Sequence, residues 1–238
     1  MRETRMSFLA HLEELRKRLL RCIIAVGVAF VLCYAFSRPI LLFFLAPIKE
    51  NLFQGGEIVF RQLTEPFLIY LKVAFLAALF VASPYLFWEV WGFVSPGLKP
   101  REKRWALPFL LGSPGLFIAG GLFGYYILLP MTCRFLVQIG SDFKAMLDLR
   151  SAFAFEAWLL LGLGAVFQIP VLVGVLARVG LVTPGWLWKQ FRYAVLVIFV
   201  LAAVLTPTPD VVTQTVFAAP MIVLYVLGIG IAALLAPR

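Results

Sequence analysis

From Phe67 to Phe93 the chain is almost wholly apolar, and Lys72 and Glu89 are the only charges in that stretch. A helix rises about 1.5 Å per residue and the hydrocarbon layer of a bilayer is about 30 Å thick, so about 20 such residues cross it. Further apolar runs occupy 19–36, 106–129, 152–177, 193–205 and 211–235. Backbone polar groups find no water inside a bilayer, and helices satisfy them within one segment. The expectation is an all-α polytopic membrane bundle of six transmembrane helices, forming a single integral membrane domain over residues 1–238. Composition agrees, since 63% of the 238 residues are hydrophobic, 14% are charged and the mean hydropathy is +0.98. Soluble domains are closer to half apolar and a quarter charged.

The first run follows basic residues in the manner of a secretory signal. It is long for one, and no small-x-small cleavage site follows, so it reads as a retained span. The fifth run reaches only about 20 Å, which predicts local bilayer thinning or polar ends hidden by neighbours. Pro220 should kink the sixth.

An even number of spans places both termini on one side. Two thirds of the 21 Lys and Arg fall on that side, and the whole net charge of +9 with them, while the opposite side is neutral. Basic flanks stay in the cytoplasm, so both termini are expected there. SPGLKPREKR, from Ser95, reads as a cytoplasmic loop of roughly a dozen residues, because Pro96, Gly97 and Pro100 interrupt a helix. The outer stretch 37–66 contains a short apolar segment, 40–45, that suggests an interfacial helix. LTPTPD, from Leu205, reads as a tight outer turn.

Several function classes are disfavoured. One histidine and three cysteines make a metal site improbable, and GxxxxGK[ST] and HExxH are both absent. No cofactor, no metal and no catalytic residue is expected, nor any nucleic-acid partner. Cys22, Cys33 and Cys133 read as small hydrophobes.

The polar residues that remain are informative. HLEELRKRLL, residues 11–20, follows the stripe Phe8, Leu12, Leu15 and Leu19 of an amphipathic helix. Glu13 and Glu14 stand four residues before Lys17 and Arg18, where each pair adds a few tenths of a kcal/mol, about 0.2–0.5. Glu14 also has a functional reading, because Glu102 is the one acid among Lys99, Arg101, Lys103 and Arg104. Two carboxylates at one membrane level, held ionised by a positive field, suit two guanidinium groups. The planar fork of arginine meets a carboxylate bidentately, and lysine does not reproduce it. Within the spans, Lys72 and Glu156 are expected to snorkel towards an interface. Gln168, in FQIP, should face a concave, partly wet surface, and Asp210 and Gln214 flank the entry to the sixth span. Gly120 and Gly124 form a GxxxG, a sign of close helix packing. Trp88, Trp91, Trp105, Trp186 and Trp188 read as interface anchors.

Taken together, HLEELRKRLL, FVSPGLKPREKR, FQIP and TPTPDVVTQ, in this order among six spans, resemble TatC, the multispanning subunit of the twin-arginine protein translocase. The resemblance covers nearly the whole chain and implies a cupped bundle in the bacterial inner membrane. It implies a receptor for twin-arginine signal peptides that moves folded proteins using the protonmotive force. Small single-span partners, TatA-like and TatB-like, and self-association in the complex come with it. It carries a signal-binding role to Glu14, Arg16, Glu102 and Phe93. It carries partner-contacting or structural roles to Pro47, Asp210 and Gln214. Gln168 stands where many relatives have glutamate, so a titrating role there is lost. The alternative reading is a secondary transporter or channel for a small solute, with Gln168, Glu156 and Lys72 as its pathway.

Overall fold

The computed structural model describes residues 8–52, 56–94, 100–142, 145–206 and 210–235, apart from the side chains of 8–10, 94 and 100–110. Helix α1 (Phe8–Ala35) is followed by α2 (Ser37–Glu50), β1 (Glu57–Val59), α3 (Glu65–Val94) and α4 (Pro100–Phe123). A π-turn, Gly124–Leu128, joins α4 to α5 (Leu129–Ile139), and β2 (Met146–Asp148) leads into α6 (Leu149–Val166). The chain ends with α7 (Ile169–Val179), α8 (Pro184–Lys189), α9 (Phe191–Leu205) and α10 (Val211–Leu235). Five helical stretches are long and apolar enough to cross a membrane, and α9 is a shorter apolar helix. The architecture is the expected all-α polytopic bundle.

Small residues decide how the helices approach. On α1, Ala29 and Cys33 pack against Ala74, Ala78 and Ala82 of α3, while Ile24, Val31 and Leu32 on the far side stay exposed. Lipid tails are as apolar as leucine, so such a seam holds by close van der Waals contact rather than by escape from water. Between α4 and α6 the approach is tighter. A Cβ on Gly120 would lie 2.7 Å from the Leu163 carbonyl oxygen and 3.0 Å from the Gly164 Cα. The main core runs through Leu129, Leu159, Leu163, Phe217 and Met221, all fully buried.

The fourth span is two helices. α6 stops at Val166, Gln168 stands at the N-cap of α7 before Ile169 and Pro170, and proline, lacking an N–H, is accommodated in the first turn of α7 but not within a continuous helix. The third span includes the π-turn and runs on to Ile139. At the end of the bundle that holds α2, β1 and β2 pair in parallel, Glu57 with Met146 and Val59 with Asp148. Buried Glu65 fastens this patch by accepting from the N–H groups of Arg61, Gln62 and Arg150. Asp148 caps α6 by accepting from the N–H and hydroxyl of Ser151.

Three expectations need correction. The segment from Pro100 is helical, so Arg101–Arg104 belong to the first turns of α4 rather than to a loop; proline at a helix start forfeits no hydrogen bond. Glu156 does not snorkel: it is fully buried, on the packed face of α6 with Leu159, Leu160 and Leu163, too short to reach an interface. Lys72, with its longer stem, is exposed. Pro220 lies inside α10 without ending it. The expected interfacial helix is longer than 40–45 and spans the whole of α2. Of LTPTPD, residues 207–209 lie outside the described residues.

Candidate functional site

At the end of the bundle opposite the β patch, the start of α1 lies against the end of α3. The half-buried face of the first turns of α1 carries His11, Glu14 and Arg18 and brings Glu14 and Arg18, one turn apart, towards α3, while Leu12, Leu15 and Leu19 of the apolar stripe stay exposed. Arg18 donates from Nε and Nη2 to Glu14 Oε1, at 3.0 and 2.7 Å, and from Nη1 to Glu89 Oε2 at 2.9 Å. One guanidinium is therefore gripped by two carboxylates. The other oxygen of Glu89 accepts from the Tyr85 hydroxyl at 2.9 Å and lies 3.6 Å from Arg21 Nη1. Glu89 is 6% exposed, whereas the Glu14 and Arg18 side chains are about one-fifth exposed.

The absence of a side chain at Gly92 makes room for this. A Cβ there would collide with the Arg18 guanidinium, so glycine one turn from the end of α3 lets Arg18 lie against the backbone. Next to it, Phe93 stacks on His11, with ring centroids 4.4 Å apart and planes at 18°. Phe93 thus shares this corner with Glu14. Glu13 and Lys17 form the expected pair at 2.7 Å, both well exposed, and Arg16 is exposed beside them.

Glu102 falls in the opening turn of α4, but its side chain lies outside the described residues, so the corner is built here from Glu14, Arg18, Glu89, Tyr85 and the Phe93–His11 stack. Sequence reasoning assigned Glu89 only a place in the charge balance. Its signal was available: it is the one acid in a long apolar run, flanked by Trp88 and Trp91.

The other candidates are elsewhere. Gln168, half-buried, donates from Nε2 to the Ser113 carbonyl at 3.1 Å, tying the break between α6 and α7 to α4. Asp210 caps α10, accepting from the Thr213 N–H at 2.7 Å and from the Thr213 hydroxyl. Gln214 donates to the Phe199 carbonyl at 2.8 Å and so joins α10 to α9. Pro47 is buried in α2, and its carbonyl accepts from Asn51, whose own side-chain oxygen accepts from Arg134 of α5. These four residues do not converge on the Glu14 corner. Each joins helices or caps one.

Chemically, the corner holds one guanidinium, that of Arg18, between two carboxylates. Charge-assisted contacts of this kind contribute about 1.5–3 kcal/mol each when shielded from water. The two acids sit among Arg16, Lys17 and Arg21, whose charge repels cations that lack the matching fork geometry.

Comparison with known proteins follows the same lines. The family profile of the Sec-independent protein translocase protein (TatC) matches residues 10–220. The chain is 44% identical over 236 residues to the Sec-independent protein translocase protein TatC of Koribacter versatilis, covering 98% of this chain and 87% of that protein. It is 40% identical over 228 residues to the protein of that name from Helicobacter pylori, covering 95% and 87%. A crystal structure of the twin-arginine translocase receptor TatC matches the fold with a TM-score of 0.82 at 32% identity, covering 94% of this chain and 98% of that one.

Proposed function

The chain belongs to the TatC family of Sec-independent protein translocase proteins, and from that premise we propose that it is the membrane receptor that binds twin-arginine signal peptides at the Glu14 corner. TatC is a transport family, and the role is recognition and translocation rather than catalysis. The observation that carries the site assignment is that Glu14 already binds a guanidinium, that of Arg18, through two hydrogen bonds. A signal arginine presents the same fork. In this reading it takes the Glu14 oxygens in exchange for Arg18, which stays paired with Glu89.

The second signal arginine is assigned to Glu102, at the start of α4, with Arg16 and Phe93 lining the approach. Both termini lie in the cytoplasm of a bacterium, so the corner faces the compartment in which cargo folds. Asp210, Gln214, Pro47 and Gln168 hold the helix geometry against which TatA-like and TatB-like single-span subunits pack. The protonmotive force drives the movement of folded cargo through the self-associated complex.

The test is binding of paired signal peptides, identical except for Arg-Arg or Lys-Lys, to the purified chain. Arg-Arg should bind more tightly, by roughly tenfold or more for a lost bidentate contact. Glu14→Gln combined with Glu102→Gln should abolish the difference. Undiminished discrimination in the double variant would remove the assignment.

A further inference from the structure

At the β-patch end, a cavity of about 240 Å³ is lined by Arg61, Glu65, Lys72, Asp148 and Arg150. Below it, an apolar trough of about 490 Å³ runs between α1, α3 and α6, walled by Phe30, Phe75, Leu76, Phe153, Ala157 and Leu161. Lys72 lines both. We propose that this composite is a binding site for one anionic phospholipid, its phosphate among Lys72, Arg61 and Arg150 and an acyl chain along the trough.

The charges select the ligand. Glu65 is buried and its oxygens are occupied by three backbone N–H groups, so it offers the mouth little open negative charge. Asp148 accepts from Ser151 and lies 3.8 Å from Arg61. Among the described residues Lys72 and Arg150 make no salt bridge, and both are exposed. Three cations, Arg61, Lys72 and Arg150, share the mouth with two carboxylates, a formal excess of one positive charge facing a space whose continuation is apolar. A free phosphate would use the mouth and leave the trough; an uncharged lipid would use the trough and leave the mouth.

The lengths also agree. Lys72 stands seven residues into α3, about 10 Å below Glu65, within reach of the headgroup level for a flexible ammonium. From Lys72 to Ser83, beyond which the groove continues past Phe87 and Phe117, is about 16 Å, half of a hydrocarbon layer about 30 Å thick. One leaflet's chain fits that depth. The site is independent of the Glu14 corner, which lies at the other end of the bundle.

Native mass spectrometry of the full chain in detergent tests this, with phosphatidylglycerol and phosphatidylcholine of identical chains added in parallel. Phosphatidylglycerol should be retained preferentially. Lys72→Gln and Arg150→Gln, both on exposed side chains, should each reduce its retention about fivefold, the attraction of one interfacial cation. Lys189→Gln, at the opposite end, should not. Ala157→Phe, which fills the trough, should release phosphatidylglycerol with the cations intact. Equal retention of the two lipids, undiminished retention in the Lys72 and Arg150 variants, or an equal effect of Lys189→Gln would each overturn the proposal.

Discussion

Arg18 Nη1 lies 2.9 Å from Glu89 Oε2, joining helices 71 residues apart in sequence through a carboxylate that is almost fully buried. Glu89→Gln keeps the shape and removes the charge, so Arg18 keeps only Glu14. The expected loss is about 1.5–3 kcal/mol, the range for hydrogen bonds to charged groups, read as a lower melting temperature in detergent. Glu13→Gln, whose partner Lys17 is as exposed as itself, should leave melting unchanged.

Glu156 makes the opposite prediction. Neither of its carboxyl oxygens has a hydrogen-bond partner among the described residues, and the side chain has no exposed surface. A buried polar group without a partner carries its full desolvation cost. Glu156→Leu should therefore raise stability by about 1–3 kcal/mol, and a melting temperature at or below that of the parent would refute this.

Gly120→Ala should destabilise by about 1–3 kcal/mol, because the new methyl meets backbone atoms of α6 that have no rotamer to change. Gly115→Ala is the control. Nothing lies within 4 Å of a Cβ at that position of α4. Comparing the two melting temperatures separates helix contact from helix propensity.

The Asp148 cap should fail in acid. Its hydrogen bonds with the Ser151 hydroxyl and N–H, together with the nearby Arg61 and Arg150, hold the carboxyl below the ordinary aspartate value. A depressed folded-state value means that the cap's contribution is complete above the ordinary value, about 3.9, and is lost as pH falls through the folded one. Asp148→Asn, which still accepts from the Ser151 N–H, should flatten this acid dependence by lowering the neutral melting temperature towards the acid one, leaving the value below the folded-state titration little changed.

How much of this was readable beforehand depends on the range of the interaction. Spans were legible because each depends only on its own apolar length, and the Glu13–Lys17 and Glu14–Arg18 pairs because i,i+4 neighbours meet on any helix. The Gly120 seam was signalled by GxxxG. Arg18–Glu89 was not legible, since it depends on how two distant helices are set against each other. Nor was the burial of Glu156, because hydropathy says that a residue lies at membrane depth but not which way it faces. Pro100 misled, being read as a breaker where it is a starter. The break at Gln168 left the hydropathy of the run unchanged.

The π-turn has a geometric effect on the third span. Buried positions there come in pairs, 120 and 121, 124 and 125, 128 and 129, 132 and 133, at a strict spacing of four. In a regular α-helix, at 3.6 residues per turn, the pair at 132 would have drifted about 120° around the axis from the pair at 120. The wider coil at Gly124–Leu128 takes up nearly the whole of that excess, so that Thr132 and Cys133 still look inward beneath the glycines. Deleting a single residue there would turn the coil into regular α-helix and leave Thr132 facing inward, about 20° from the line of Gly120, whereas forcing regular α-helix on the undeleted run would swing Thr132 towards lipid.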